Sequence, residues 1–290
     1  MRFINLQTAL TRLSAAFCLI MLFMSCKANN DSPANTQGGD GPDTQQAKVG
    51  DVSTDDSTAS DGIPPGAKIL LEVYPDCIKA YKDGYLVMAN GERILYDDGR
   101  KKSFVQLLDE ADPEDMFAFT YDVNAEKPGY RQDAGRSRCD KLFMAMYGHS
   151  AAEVNSRLVK VQWIGETVRF TNVNGAADSL RAVARELASH PEYKQYLKSS
   201  GSFVWRTVRG AKRMSAHSFG MTIDVGVPVS NYWQWDSKTQ SETVDIKYNN
   251  RFPLGLVKIF EKHGFIWGGR WYHYDTMHFE FRPEILRTVK

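Results

Sequence analysis

Ser215-Ala-His217-Ser-Phe-Gly220-Met-Thr-Ile-Asp224 and Asp275-Thr-Met-His278-Phe-Glu280 are two short polar stretches set inside alternating apolar runs. Met221-Thr-Ile223-Asp224-Val225 alternates as a half-buried strand does, which puts Asp224 on the polar face. Met277, Phe279 and Phe281 alternate in the same way against His278 and Glu280, predicting a second strand with one packed and one polar face. His217 and Asp224 are seven residues apart, so on one straight strand they would point to opposite faces. A bend at Gly220 corrects this, because glycine tolerates the backbone angles a turn requires. His217 is therefore expected on the loop entering the strand, Asp224 on the strand, and Asp275 at the entrance of the second strand.

The two stretches supply two histidines and one carboxylate able to hold a zinc ion, plus a spare carboxylate, Asp275, three residues before the last histidine. Catalytic zinc sites keep three protein ligands and leave the fourth position for a water whose pKa falls to about 7. The spare carboxylate can take that water's proton and pass it to a leaving amine. A lone His-x6-Asp is weak evidence, since a histidine near a strand is more often structural. The pairing of both stretches is what singles them out, as no other His, Cys, Asp or Glu clusters in the chain combine as compactly.

These residues resemble the VanY-type D-alanyl-D-alanine carboxypeptidases, zinc peptidases that share a fold with lysostaphin-like and hedgehog-type domains. The family pattern is Ser-x-His-x-x-Gly-x-x-x-Asp, followed much later by an acidic residue, two residues and His. The resemblance runs from about Leu158 to Pro283. It implies His217, Asp224 and His278 as zinc ligands and Asp275 as general base and acid, where many relatives carry Glu. Trp267-Gly-Gly-Arg-Trp271-Tyr-His-Tyr-Asp275 looks like the aromatic approach of that family. One element departs from it. Family members often carry a Gly-Tyr-Arg element upstream whose arginine polarises the scissile carbonyl, but the corresponding region here reads Thr171-Asn-Val-Asn174-Gly175. Arg206, on an expected strand Phe203–Arg206, and Arg213, four residues before His217, are the nearer substitutes. Either can hold a carboxylate bidentately, or be a solvated surface residue.

Outward from the motifs, Val159, Val161 and Trp163 alternate on a strand, with Thr167–Val173 as its neighbour. Leu180, Val183, Ala184 and Leu187 follow at amphipathic-helix spacing. A second helix opens with Pro253 in its first turn and ends at Gly264, leaving His263 as a helix-end histidine near the negative pole of the dipole. His273 can contact substrate, support the site or be structural. Of the aromatic residues near the motifs, Trp271 and Tyr272 have the best claim to a groove, and most of the others, Trp205, Tyr232, Trp233 and Trp235, fit a hydrophobic core better.

Residues 66–150 carry no catalytic constellation. Asp83-Gly84, Asn90-Gly91 and Asp98-Gly99 punctuate apolar runs as in a β-meander. Ser103 is placed to cap a short helix, and Asp140–Tyr147 reads as another, stopped by Gly148. Such a part can be a wall-binding module, a lid or an elaboration. Residues 26–65 hold almost no large apolar side chain and read as a flexible tether. Residues 1–25 read as a signal peptide: Arg2 and Arg12 precede thirteen uncharged residues, Leu13–Ser25, too few to span a bilayer at roughly 20. Leu22-Phe-Met-Ser25-Cys26 is a loose lipobox, which makes Cys26 the candidate for a lipid anchor, with plain secretion or an uncleaved anchor as alternatives. Cys77 and Cys139 then remain as an even pair in an oxidising compartment, either bonded or free.

Lys and Arg number 36 against 35 Asp and Glu, a net charge of +1 with no nucleic-acid signature. The sequence thus predicts an α+β fold: a small antiparallel sheet flanked by helices carrying a single zinc site, with an N-terminal β-rich extension and a zinc peptidase domain at 151–290. The resemblance implies a substrate in the peptidoglycan stem peptide and a place in the bacterial cell envelope. A non-catalytic, zinc-stabilised cell-wall-binding lipoprotein is the alternative, and Asp275 argues against it because a pure binder needs no carboxylate there. A purely structural envelope lipoprotein would leave both motifs without a purpose.

Overall fold

Strand pairing builds three small antiparallel sheets in the computed structural model, which describes residues 62–288. The signal-peptide and lipid-anchor readings of residues 1–26, and most of the tether, lie outside the described residues. Helix α1 (Pro65–Val73) leads into the meander β1 (Ile78–Lys82), β2 (Tyr85–Met88) and β3 (Arg93–Leu95), paired in that order. Ser103 caps α2 (Phe104–Asp109) with a capping box that Gln106 completes. Helix α3 spans Asp140–Tyr147 and stops at Gly148, as the sequence predicts. Helix α4 (Ala151–Ser156) leads into the hairpin β4 (Leu158–Trp163) and β5 (Glu166–Thr171), followed by α5 (Ala176–Leu187).

The four-stranded sheet carries the two motifs. Strand β6 (Ser199–Gly201) pairs with β7 (Thr222–Val225); helices α6 (Trp233–Ser237) and α7 (Leu254–Lys262) intervene before β8 (Phe265–Trp267) and β9 (His278–Phe281). The order is β6-β7-β9-β8, antiparallel throughout. Helix α8 (Pro283–Leu286) closes the described chain. Ile223 lies opposite Phe279, and Phe279 stacks on Phe260 of α7 with ring centroids 3.8 Å apart. That face is dry core, and the alternate residues are left to form the site.

All the described residues fall in one compact unit, Thr58–Lys290. The larger hydrophobic cluster runs from Ala67 and Leu70 of α1 through Phe143 of α3 to Ile223 and Phe281, and a smaller one gathers Tyr121, Ala134, Ile266, Trp271 and Ile285. No helix among the described residues is long and apolar enough to cross a membrane.

Two local expectations are corrected. Phe203–Arg206 is not a strand. The Ser218 hydroxyl accepts from the Arg206 amide at 3.0 Å and donates to the Arg206 carbonyl at 2.8 Å, alongside isolated backbone bonds from Val204 to His217 and from Ser215 to Arg206. Pro253 precedes α7 as its cap rather than lying in its first turn. Of the two states the sequence leaves open for Cys77 and Cys139, the structure has the free one, and burial pushes the Cys139 thiol up to about 12.

Candidate metal centre and groove

Register decides the geometry. Asp224 on β7 lies directly opposite His278 on β9, and Thr222 opposite Glu280, so all four share one face. His217 reaches that face from a 3₁₀ turn, Ala216–Phe219, which ends at Gly220 in the left-handed region at φ 65°. A side chain at Gly220 would collide with Leu158, so the bend needs glycine on both grounds. The Asp224 carboxylate bridges the two imidazoles: Oδ1 is 3.0 Å from His278 Nδ1 and Oδ2 is 3.2 Å from His217 Nε2. One donor atom from each of the three residues lies within 4.8 Å of the others. Two imidazole nitrogens and one carboxylate are a donor set that suits zinc, with room for a fourth ligand.

Charge at this face suits a cation. Burial alone would lower the His278 pKa, but hydrogen bonds to Asp224 and Glu280 and the charges of Asp224 and Asp275 raise it to about 10. Burial acts to raise Asp224, yet the charge and hydrogen bonds of His217 and His278 hold it well below the carboxylate range. Asp275 goes the other way: burial, aided by the charge of Asp224, raises it to about 7. Its Oδ1 is buried without a hydrogen-bond partner. The loop holding it is fixed by Asp275 N–H to the Gly268 carbonyl at 3.0 Å and by a β-bridge to Tyr232.

Glu280 is a residue that sequence reasoning left without a role. It accepts from His278 Nε2 at 3.3 Å, from Arg138 at 3.2 Å and from Arg282 at 2.8 Å, and the charge of Arg138 leads in holding its carboxyl far below its usual value against burial. A carboxylate on the far nitrogen fixes the imidazole's orientation and leaves Nδ1 free to face a metal. Arg282 continues the buried chain to Glu284, which in turn accepts from Tyr74 just beyond α1.

The face opens into a groove of about 660 Å³ that His217, Asp224, Asp275 and His278 line together with five arginines. Thr171–Gly175 does not reach it. Its upstream arginines are Arg136 and Arg138, in the Gly135-Arg-Ser-Arg turn before α3, and neither was singled out from the sequence. Arg138 is committed to Glu280 and to the Met214 carbonyl. Arg136 pairs with Asp133 and Glu242. Arg213 is 5% exposed and pairs with Asp109 and Glu242. Arg206 is exposed, with the Thr207 carbonyl as the acceptor for its guanidinium. His273 is buried and donates from Nδ1 to Asp133 at 2.6 Å, while Nε2 has no partner. His263 caps the end of α7, as its position predicts, and there pairs with Glu186.

Two other carboxylate clusters, Asp97-Asp98-Asp112 and Asp112-Glu114-Asp115, have metal-like spacing. The Lys102 ammonium already sits among them, 3.1 Å from Asp98, 2.9 Å from Asp112 and 2.5 Å from Asp115.

Residues 209–281 match the D-alanyl-D-alanine carboxypeptidase family. The matched stretch takes in His217, Asp224, Asp275 and His278, while Arg136, Arg138 and Arg206 lie outside it. No curated protein and no solved structure matches the chain. The matched segment alone therefore does not contain the whole groove: the sequence before it adds three of the five arginines, Arg136, Arg138 and Arg206.

Proposed function

We propose that the protein is a zinc-dependent peptidase cleaving the stem peptide of peptidoglycan, held at the outer side of a bacterial plasma membrane by a lipid on Cys26. The observation that carries this reading is the register of Asp224 against His278, with His217 in reach and Asp275 in the same open groove. Held by His217 Nε2, Asp224 and His278 Nδ1, zinc would supply Lewis acidity and a water acidified to a pKa of about 7.

The chain's own groups do the rest. Glu280 keeps His278 in the tautomer with Nε2 protonated. Burial raises Asp275 to about 7 in the metal-free protein, and beside a dication it would give up that proton, leaving a carboxylate able to accept a proton and return it. Its unpartnered Oδ1 takes the proton of the attacking water and delivers it to the departing nitrogen. Arg206 offers its guanidinium to a free carboxylate of the stem, and Arg213, tied to Asp109 and Glu242, steadies the segment that leads into His217.

Mass spectrometry of peptidoglycan fragments incubated with zinc-loaded or chelator-treated protein tests the proposal. Loss of a terminal alanine, or a cut within the stem, only with zinc supports it. Folded, zinc-loaded protein that cleaves none of several stem types would move the reading to a zinc-stabilised wall-binding lipoprotein.

A further inference from the structure

Trp235 is the most conspicuous side chain in the groove that the chemistry above does not use. It is 56% exposed although it is a large aromatic, and it lines the same groove as His278 and Asp275. Its exposure does not come from a loose loop. Trp233, two residues earlier on the same short helix, is buried at 1% exposure. The Asp236 carboxylate is gripped by Asn231 at 3.1 Å, Asn249 at 3.1 Å and the Tyr274 hydroxyl at 2.8 Å. Tyr232 braces the indole edge-on, with ring centroids 5.4 Å apart at 85°.

The same segment is strapped to the loop that carries Asp275. Trp233 N–H donates to the Tyr274 carbonyl at 2.9 Å, Thr276 N–H to the Asn231 carbonyl at 2.9 Å, and Tyr232 bridges to Asp275. A rigid, solvent-facing indole is thereby held in fixed register with the general base. Such a platform fits a flat ligand with a weakly polarised C–H face, because the ring's negative face attracts it. Around it the groove presents Gln234, Gln240, Arg206 and Lys238, planar or cationic donors suited to hydroxyl and amide oxygens. That cationic rim disfavours a positively charged ligand.

Resting on the peptidase reading above, we propose that Trp235, braced by Tyr232, is a saccharide subsite for the N-acetylated sugar from which the stem peptide hangs. The preferred substrate is then the sugar-linked stem rather than the free peptide.

Competition between a disaccharide-linked stem and the same stem without sugar, with the zinc-loaded full chain, tests this. The wild type should favour the sugar-linked stem in kcat/KM by about tenfold, the scale of one good stacking contact. Trp235→Ala should bring that ratio to near one, and Trp235→Phe should keep part of it. A wild-type ratio near one, or a ratio that Trp235→Ala leaves intact, overturns the proposal. If the wild type cleaves neither stem, the peptidase reading fails while the subsite is still tested. Saturation-transfer NMR with the peptide-free N-acetylglucosamine disaccharide should then show binding that Trp235→Ala abolishes, and absence of binding to the wild type at millimolar disaccharide refutes it.

Discussion

Raising the pH from 6.5 to 8.5 should tighten zinc binding by at least about a hundredfold. A metal needs a neutral imidazole, so zinc must displace the proton that Asp224 and Glu280 hold on His278. With that histidine raised to about 10, one proton leaves per zinc over the whole range, which is about tenfold in affinity, or roughly 1.4 kcal/mol, per pH unit. Asp275, raised to about 7, gives up a further fraction near neutrality once a dication is beside it. Competition against a chromophoric chelator measures the affinity at each pH. Calorimetry in buffers of different ionisation enthalpy counts the protons. Affinities agreeing within about threefold across the range, or no proton release at pH 8, would refute the argument that the three carboxylates hold a proton where the metal binds.

The zinc-free protein should lose thermal stability from pH 6.5 to 9. The His278 ion pair is fully present below its ordinary value of 6.5 and is lost as pH rises through about 10, while the raised Asp275 adds a loss through about 7. Melting curves in chelator should therefore fall over that range, and a flat or rising melting temperature would contradict the two shifts. Glu280→Gln removes the charge behind His278 and should weaken zinc binding by about 10- to 100-fold, read by the same chelator competition; unchanged affinity would deny Glu280 its orienting role. Gly220→Ala places a side chain against Leu158 in a left-handed turn, and should cost about 1–3 kcal/mol in urea unfolding. An unaffected midpoint would mean the turn is not the rigid element described.

The metal face was legible because strand alternation is a local signal. Two residues apart on β9, His278 and Glu280 share a face whatever lies around them, and only the cross-strand register needed the fold. Helix α3 was legible to the residue, since Gly148 takes a backbone angle that ends a helix. The groove's wall was not legible. Arg138 meets Glu280 across 142 positions and Asp133 meets His273 across 140, and such pairings leave no period in the sequence. Trp271 and Tyr272 were favoured for the groove by proximity to Asp275. Trp271 lines it while 6% exposed, its indole N–H given to the Ala134 carbonyl, and Tyr272 turns its hydroxyl to the Ile246 amide. Trp235 is the exposed aromatic instead, because its neighbour Trp233 took the buried side of a five-residue helix.

The same buried pairs bear on residues 66–150. Tyr74, Tyr121, Asp133 and Arg138 contact Glu284, Trp267, His273 and Glu280, so this part of the chain builds the back of the site. Removing one member of a buried ion pair such as Arg138–Glu280 strands the other charge, at about 3–5 kcal/mol.

Zinc content and stem-peptide turnover measured side by side for the wild type and Asp275→Asn test the central claim most directly. The account predicts one zinc per chain in both proteins and a loss of turnover of about 10²- to 10⁴-fold in the variant, the range for a missing general base. Turnover kept within a few-fold by a zinc-loaded Asp275→Asn protein would contradict it.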